Sequence, residues 1–158
     1  FAPLYIQRIA QLTNKSNQFN LTTLRCSEED IRTMAEDADY LCLCGKLVDK
    51  FGDNGIVTVV AGQQQGSALH MRLWLMSCRV LKRGMEDAMM DTLMRHAAAR
   101  GIEKIVGYYY PTAKNAMVRE FYAQFGFAKT QESEQGTTWE LNVADYLPRN
   151  PHMKIEEA

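Results

Sequence analysis

The spacing of apolar positions changes period several times along this chain, and each change predicts an element. Tyr40 to Val48 and Ile56 to Ala61 are apolar, β-rich runs separated by the turn cluster Phe51-Gly52-Asp53-Asn54-Gly55, which predicts an antiparallel hairpin. A third strand runs from Ala68 to Cys78, with Leu69, Met71, Leu73 and Leu75 on one face and His70, Arg72 and Trp74 on the other. Met85, Ala88, Met89, Leu93, Met94 and Ala97 then follow a helical period that stops at Arg100-Gly101. Ile102 to Tyr110 is the next strand, and because a helix connects it to the third strand, the two can lie parallel.

Weaker patterns flank this centre. Leu4, Ile6, Ile9 and Leu12 suit a partial helix before a polar run, so residues 1–20 read as a linker or docking lead-in from an upstream domain. Leu21 to Leu24 reads as a short strand. Ser27 with Asp30 three residues later opens a helix to about Asp37, with Ile31, Met34, Ala35 and Ala38 on one face. Pro111-Thr112 opens another, with Asn115 three residues on, Val118, Phe121, Tyr122 and Phe125 on its buried face and Gly126 at its end. Phe127 to Gln131 and Thr137 to Leu141 form a last hairpin. Residues 21–147 thus read as one domain, and 148–158 as a charged, proline-containing tail.

Composition narrows the function classes. A 158-residue chain with 46% hydrophobic residues and a net charge of −1 can bury a core, and its balanced charge points away from nucleic acid. It has no apolar run long enough to cross a membrane as a helix. The four cysteines, Cys26, Cys42, Cys44 and Cys78, match no zinc spacing and suit a reducing compartment, so a cytoplasmic location without metal is expected.

The chemistry-bearing stretch is the basic turn Arg79-Val80-Leu81-Lys82-Arg83-Gly84 between an apolar strand and a helix start. Free amides and the helix dipole favour an anion there, while an ordinary connection with a basic surface has the same composition. Cys78 precedes this turn; Arg79, Lys82 and Arg83 would stabilise its thiolate as an acyl acceptor, and an inert thiol at a strand end is the competing reading. His70, His96 and His152 form no constellation with a serine or cysteine. Asp37-Ala38-Asp39 follows an amphipathic helix rather than a strand, so it does not supply the Asp-x-Asp of HAD phosphatases.

The order of elements, the turn Lys82-Arg83-Gly84-Met85 with Met89-Met90 beyond it, and Asn115…Phe121-Tyr122…Phe125-Gly126-Phe127 resemble the GNAT acetyltransferases. More narrowly, Gln11…Asn17-Gln18-Phe19-Asn20, Phe51-Gly52-Asp53-Asn54-Gly55, Met76-Ser77-Cys78-Arg79-Val80-Leu81 and Tyr110-Pro111-Thr112-Ala113-Lys114-Asn115 resemble the C-terminal region of FkbH-like proteins, which carry a HAD-type domain upstream and are associated with loading an acyl carrier protein. The resemblance implies an α/β (α+β) fold with a mixed, mostly antiparallel sheet and helices on both faces. It implies a pantetheine arm, of acetyl-CoA, another acyl-CoA or a carrier protein, lying between two splayed strands.

The resemblance also implies site residues. Met76, Cys78, Arg79, Lys82, Arg83, Gly84 and Met85 would line the cofactor, with the family's pyrophosphate pattern on Leu81-Lys82-Arg83-Gly84-Met85-Glu86. Leu81 and Glu86 depart from that pattern, and a carboxylate beside a pyrophosphate costs on the order of 1 kcal/mol even when exposed. A second register, Arg79-x-x-Lys82-x-Gly84, restores the leading arginine but loses the first glycine. Tyr122 falls where the family keeps a general acid, and a half-buried core aromatic is its plain alternative. Asn115 falls where the family contacts the pantetheine arm, and equally where a cap begun by Thr112 would place its partner. Two functions follow as expectations: an acyltransferase-type domain, or a non-catalytic module that docks a carrier protein or the upstream HAD-like domain.

Overall fold

The computed structural model describes residues 5–15, 19–22, 24–49, 52–77 and 85–147. Its helices are α1 (Ile6–Lys15), α2 (Glu28–Glu36) and α3 (Met85–Ala99), and its strands are β1 (Tyr40–Asp49), β2 (Gly52–Gln65), β3 (Ala68–Met76), β4 (Lys104–Tyr109), β5 (Ala128–Ser133) and β6 (Gly136–Asn142). The strands form one sheet in the order β1-β2-β3-β4-β6-β5. All neighbours are antiparallel except β3 and β4, which are parallel and joined through α3.

Both faces of the sheet are covered, as the apolar periods require. On one face α3 buries Met89, Met90, Leu93 and Met94 in a cluster with Leu69, Met71, Trp74, Met76, Ile105 and Trp139. On the other, Ile6, Ile9 and Leu12 of α1 and Ile31 of α2 pack with Val59, Ala61, Leu73 and Leu75. The lead-in expected over residues 1–20 therefore contains a helix whose apolar face belongs to the core. The second helix is capped as its sequence predicts: Ser27 Oγ accepts from the Asp30 amide at 3.1 Å, and Asp30 Oδ2 accepts from the Ser27 amide at 2.9 Å.

Three elements differ from the sequence pattern. The first is the alternation of β3. Ala61 pairs with Leu73 and the next residue, Gly62, pairs with Met71, so Arg72 is an extra residue in β3. A bulge of this kind inverts every side chain beyond it. Leu73 and Leu75 consequently join the α1 and α2 face, while Trp74, expected beside His70 and Arg72, enters the α3 core.

The second is the helix expected from Thr112 to Gly126, which forms two short 3₁₀ helices, Ala116–Val118 and Tyr122–Phe125. The Val118 amide bonds to the Asn115 carbonyl and the Phe121 amide to the Val118 carbonyl, both three residues back, while the Gln124 amide is shared between Glu120 and Phe121. The chain is wound more tightly than an α-helix, yet Val118, Phe121, Tyr122 and Phe125 are all buried as their spacing predicts. The third is Leu21 to Leu24, of which the described residues Leu21, Thr22 and Leu24 belong to no strand; an isolated bridge joins the neighbouring Asn20 to Leu75.

Candidate functional site

Strands β3 and β4 pair over Ala68↔Lys104, Leu69↔Ile105 and His70↔Val106, and no further. Beyond His70 the two strands part, and backbone groups of Arg72, Trp74 and Met76 face the gap. An extended chain can satisfy such groups by adding itself as a strand.

Residues 19–22 do so from within the molecule. The Met76 amide donates to the Phe19 carbonyl at 3.0 Å, and the Leu21 amide donates to the Trp74 carbonyl at 3.1 Å. The Thr22 hydroxyl donates to the Arg72 carbonyl at 2.8 Å. From the opposite wall the Tyr110 amide donates to the Leu21 carbonyl at 2.8 Å, and Asn115 Nδ2 donates to the Asn20 carbonyl at 2.9 Å. Phe19, Asn20 and Leu21 are buried, and the Phe19 ring meets Phe121 edge-on at a centroid distance of 5.2 Å.

Asn115 is fully buried and ties these parts together. Its Nδ2 also donates to the Tyr110 carbonyl at 2.9 Å, and its Oδ1 accepts from the Thr112 amide at 2.7 Å. The Thr112 hydroxyl accepts from the Asn115 amide in return at 3.2 Å, which is the reciprocal pairing of a cap. The side chain expected to meet a pantetheine arm thus makes its described hydrogen bonds inside the protein.

Tyr122 lies on the α3 face of the sheet, against Gly107 of β4, with Trp74 at a ring-centroid distance of 6.5 Å and Phe127 at 4.9 Å. Its hydroxyl and the Trp74 indole nitrogen are buried and have no hydrogen-bond partner among the described residues. Burial alone pushes the Tyr122 phenol up from its ordinary value, so it keeps its proton. Met76 and Met85 are both core residues, and Met85 packs against β1 at Gly45, where the missing side chain makes room for it. The expected contributions of Cys78, Arg79, Lys82, Arg83 and Gly84 lie outside the described residues. The first turn of α3 carries Glu86 and Asp87, two carboxylates at the helix end that would otherwise favour an anion.

A polar recess of about 500 Å³ lies along the end of β4, with Tyr108, Tyr110, Glu132, Thr137 and Thr138 in its lining. Tyr108 stacks on Tyr110 at 6.3 Å and on His70 at 6.0 Å, and its hydroxyl lies 2.7 Å from His70 Nδ1. Burial, and then the nearby Arg72 cation, lower the His70 pKa, which favours the neutral ring. Among the described residues, no group of three or more His, Cys, Asp and Glu side chains could hold a metal ion, and no helix is long and apolar enough to cross a membrane.

Local pattern did not single out the Phe19–Thr22 segment. Phe19 and Leu21 alternate around Asn20, which is too short a run to mark a strand, and its partners lie far along the chain. The Phe19-Asn20 pair entered the sequence reading only through the FkbH-like resemblance.

No protein-family model matches the chain, and no curated protein matches it in sequence. Solved structures do match its fold. The Ard1 structure from Thermoplasma volcanium superposes with a TM-score of 0.69 at 16% identity, over 90% of this chain and 94% of that one. An aminoglycoside 6'-N-acetyltransferase complexed with coenzyme A gives 0.68 at 13% identity over 94% of each chain. The ribosomal-protein-S18-alanine N-acetyltransferase of Escherichia coli gives 0.67 at 12% identity over 90% of each. With its six-stranded mixed sheet between α1 and α2 on one side and α3 on the other, the chain has the GNAT acetyltransferase fold.

Proposed function

We propose that this chain is an acyltransferase-type domain that works on a thioester carried by a pantetheine arm, of acyl-CoA or of an acyl carrier protein. The observation that carries the reading is the parting of β3 and β4 after three residue pairs, with the Tyr122 hydroxyl, which has no hydrogen-bond partner among the described residues, in the adjoining core. Support comes also from the fold, since solved structures of that fold include complexes with coenzyme A. Tyr122 is the proposed acid, a phenol that burial keeps neutral. The resemblance to FkbH-like proteins adds the expected partners: a carrier protein and an upstream HAD-like domain that performs the phosphatase-type chemistry.

The arm does not fit the gap as the structure describes it. The groups of Arg72, Trp74 and Met76 that face the gap are bonded to residues 19–22, and the Tyr122 hydroxyl is sealed. No chemical step is therefore routed through the arm in this arrangement. These same facts, with Glu86 and Asp87 on the first turn of α3, favour a second reading, a non-catalytic module that docks a carrier protein or the HAD-like domain.

Calorimetric titration with acetyl-CoA and CoA separates the two. Saturable binding supports the acyltransferase reading, and its absence at millimolar ligand, for the wild type and for variants with a loosened Phe19–Thr22 segment, leaves docking. In a chain that transfers, Tyr122→Phe should slow turnover without changing affinity; unchanged turnover removes Tyr122 from the acid role.

A further inference from the structure

We infer that Phe19–Thr22 is a displaceable internal strand that holds the place of the thioester arm between β3 and β4. The inference rests on the acyltransferase reading above and concerns how that site is opened. The segment makes three hydrogen bonds to the gap-facing edge of β3, through the Phe19 carbonyl, the Leu21 amide and the Thr22 hydroxyl. It makes two more to the opposite wall, through the Leu21 and Asn20 carbonyls.

A pantetheine arm is an extended chain bearing amides, so it recognises the same surface by the same main-chain geometry. Both occupants would use the Met76 amide, whose one hydrogen serves a single acceptor, and both would fill the same space beside the Trp74 carbonyl. Occupancy by one excludes the other, which makes the segment a built-in competitor.

The form of the segment suits displacement. Its single β-bridge lies at Asn20 and Leu75, far short of the long ladders that join β1 to β2 and β2 to β3. Its described anchors are those five hydrogen bonds, the burial of Phe19 and Leu21, and the contact of Phe19 on Phe121, all within four residues. Leaving the gap would free one face of Phe121, the ring that packs on both Trp74 and Tyr122. The apparent affinity for the arm is reduced by the fraction of molecules in which the segment is out, so loosening the segment raises affinity.

Hydrogen exchange by mass spectrometry on the full chain, with and without CoA, tests this together with calorimetry on two variants. The expected result is that CoA strips protection from the peptide covering residues 19–22 while β3 stays protected. Phe19→Ala should tighten CoA binding about tenfold and the milder Thr22→Val severalfold, because both raise the open fraction. If CoA binds the wild type with protection at residues 19–22 intact, and both variants bind no better, the displacement inference is wrong and the acyltransferase reading stands. If neither the wild type nor either variant binds CoA, the acyltransferase reading fails and takes the inference with it. Exchange on the wild type keeps the test decisive should Phe19→Ala fail to fold.

Discussion

The distal end of the Tyr122 ring rests on Gly107: a β-carbon on that glycine would come within 2.6 Å of both Tyr122 Cε atoms. The contact presses the 3₁₀ segment onto the middle of β4. Gly107→Ala should therefore destabilise the fold by about 1 to 3 kcal/mol, the usual effect of overpacking a filled core. Urea unfolding measures it, and Tyr122→Leu in the alanine background should recover part of the loss.

Tyr122→Phe should have the opposite sign. The hydroxyl is fully buried with no hydrogen-bond partner among the described residues, and an unsatisfied buried group costs about 1 to 3 kcal/mol. Phenylalanine keeps the ring on Gly107 and removes that penalty, so the denaturation midpoint should rise. A fall would mean that the hydroxyl has a partner in the native protein.

Asn115→Ala should be among the more damaging substitutions in the chain. It removes the Asn115 side-chain hydrogen bonds to the Asn20 and Tyr110 carbonyls and to the Thr112 amide. A loss of about 1 to 3 kcal/mol in unfolding free energy is expected from removing one buried and two part-buried hydrogen bonds. Hydrogen exchange should also quicken first at residues 19–22, ahead of β3.

Stability should decline in alkali. Burial first, and then the Asp30 carboxylate, push the Cys26 thiol from 9.0 to about 11, and burial pushes Cys42 to about 11 as well. Below pH 9 both thiols stay protonated whether the chain is folded or not. Between pH 9 and about 11 the unfolded chain releases protons that the folded chain retains, so stability is full below that window and lost as pH rises through it. Unfolding free energies measured across the window should fall with pH, and Cys26→Ala should flatten the fall.

Much of this fold is written locally. The Ser27 and Asp30 cap, the apolar face of α3 and the pairing of Thr112 with Asn115 all depend on residues within a turn or two of each other, and each is present. What escaped local reading depends on distant partners. Trp74 changes face because Ala61 and Gly62 on β2 skip Arg72. Phe19 to Thr22 take their conformation from strands about fifty residues away, and from Asn115, 95 residues from Asn20. Periodicity sees neither, since each is decided by tertiary contact rather than by the segment's own spacing.

Arg72 acts on the sheet as a single inserted letter acts on a reading frame. Its guanidinium holds the Gln63 side chain at 3.0 Å, while its backbone resets which layer every later residue of β3 belongs to. Deleting it would join Met71 directly to Leu73 in a regular strand, with Leu73 and Leu75 still in the α1 layer and Trp74 still in the α3 layer. What goes with it is the bulge and the hold on Gln63, while both cores keep their residues, so the layering of β3 tolerates the loss of the very residue that set it.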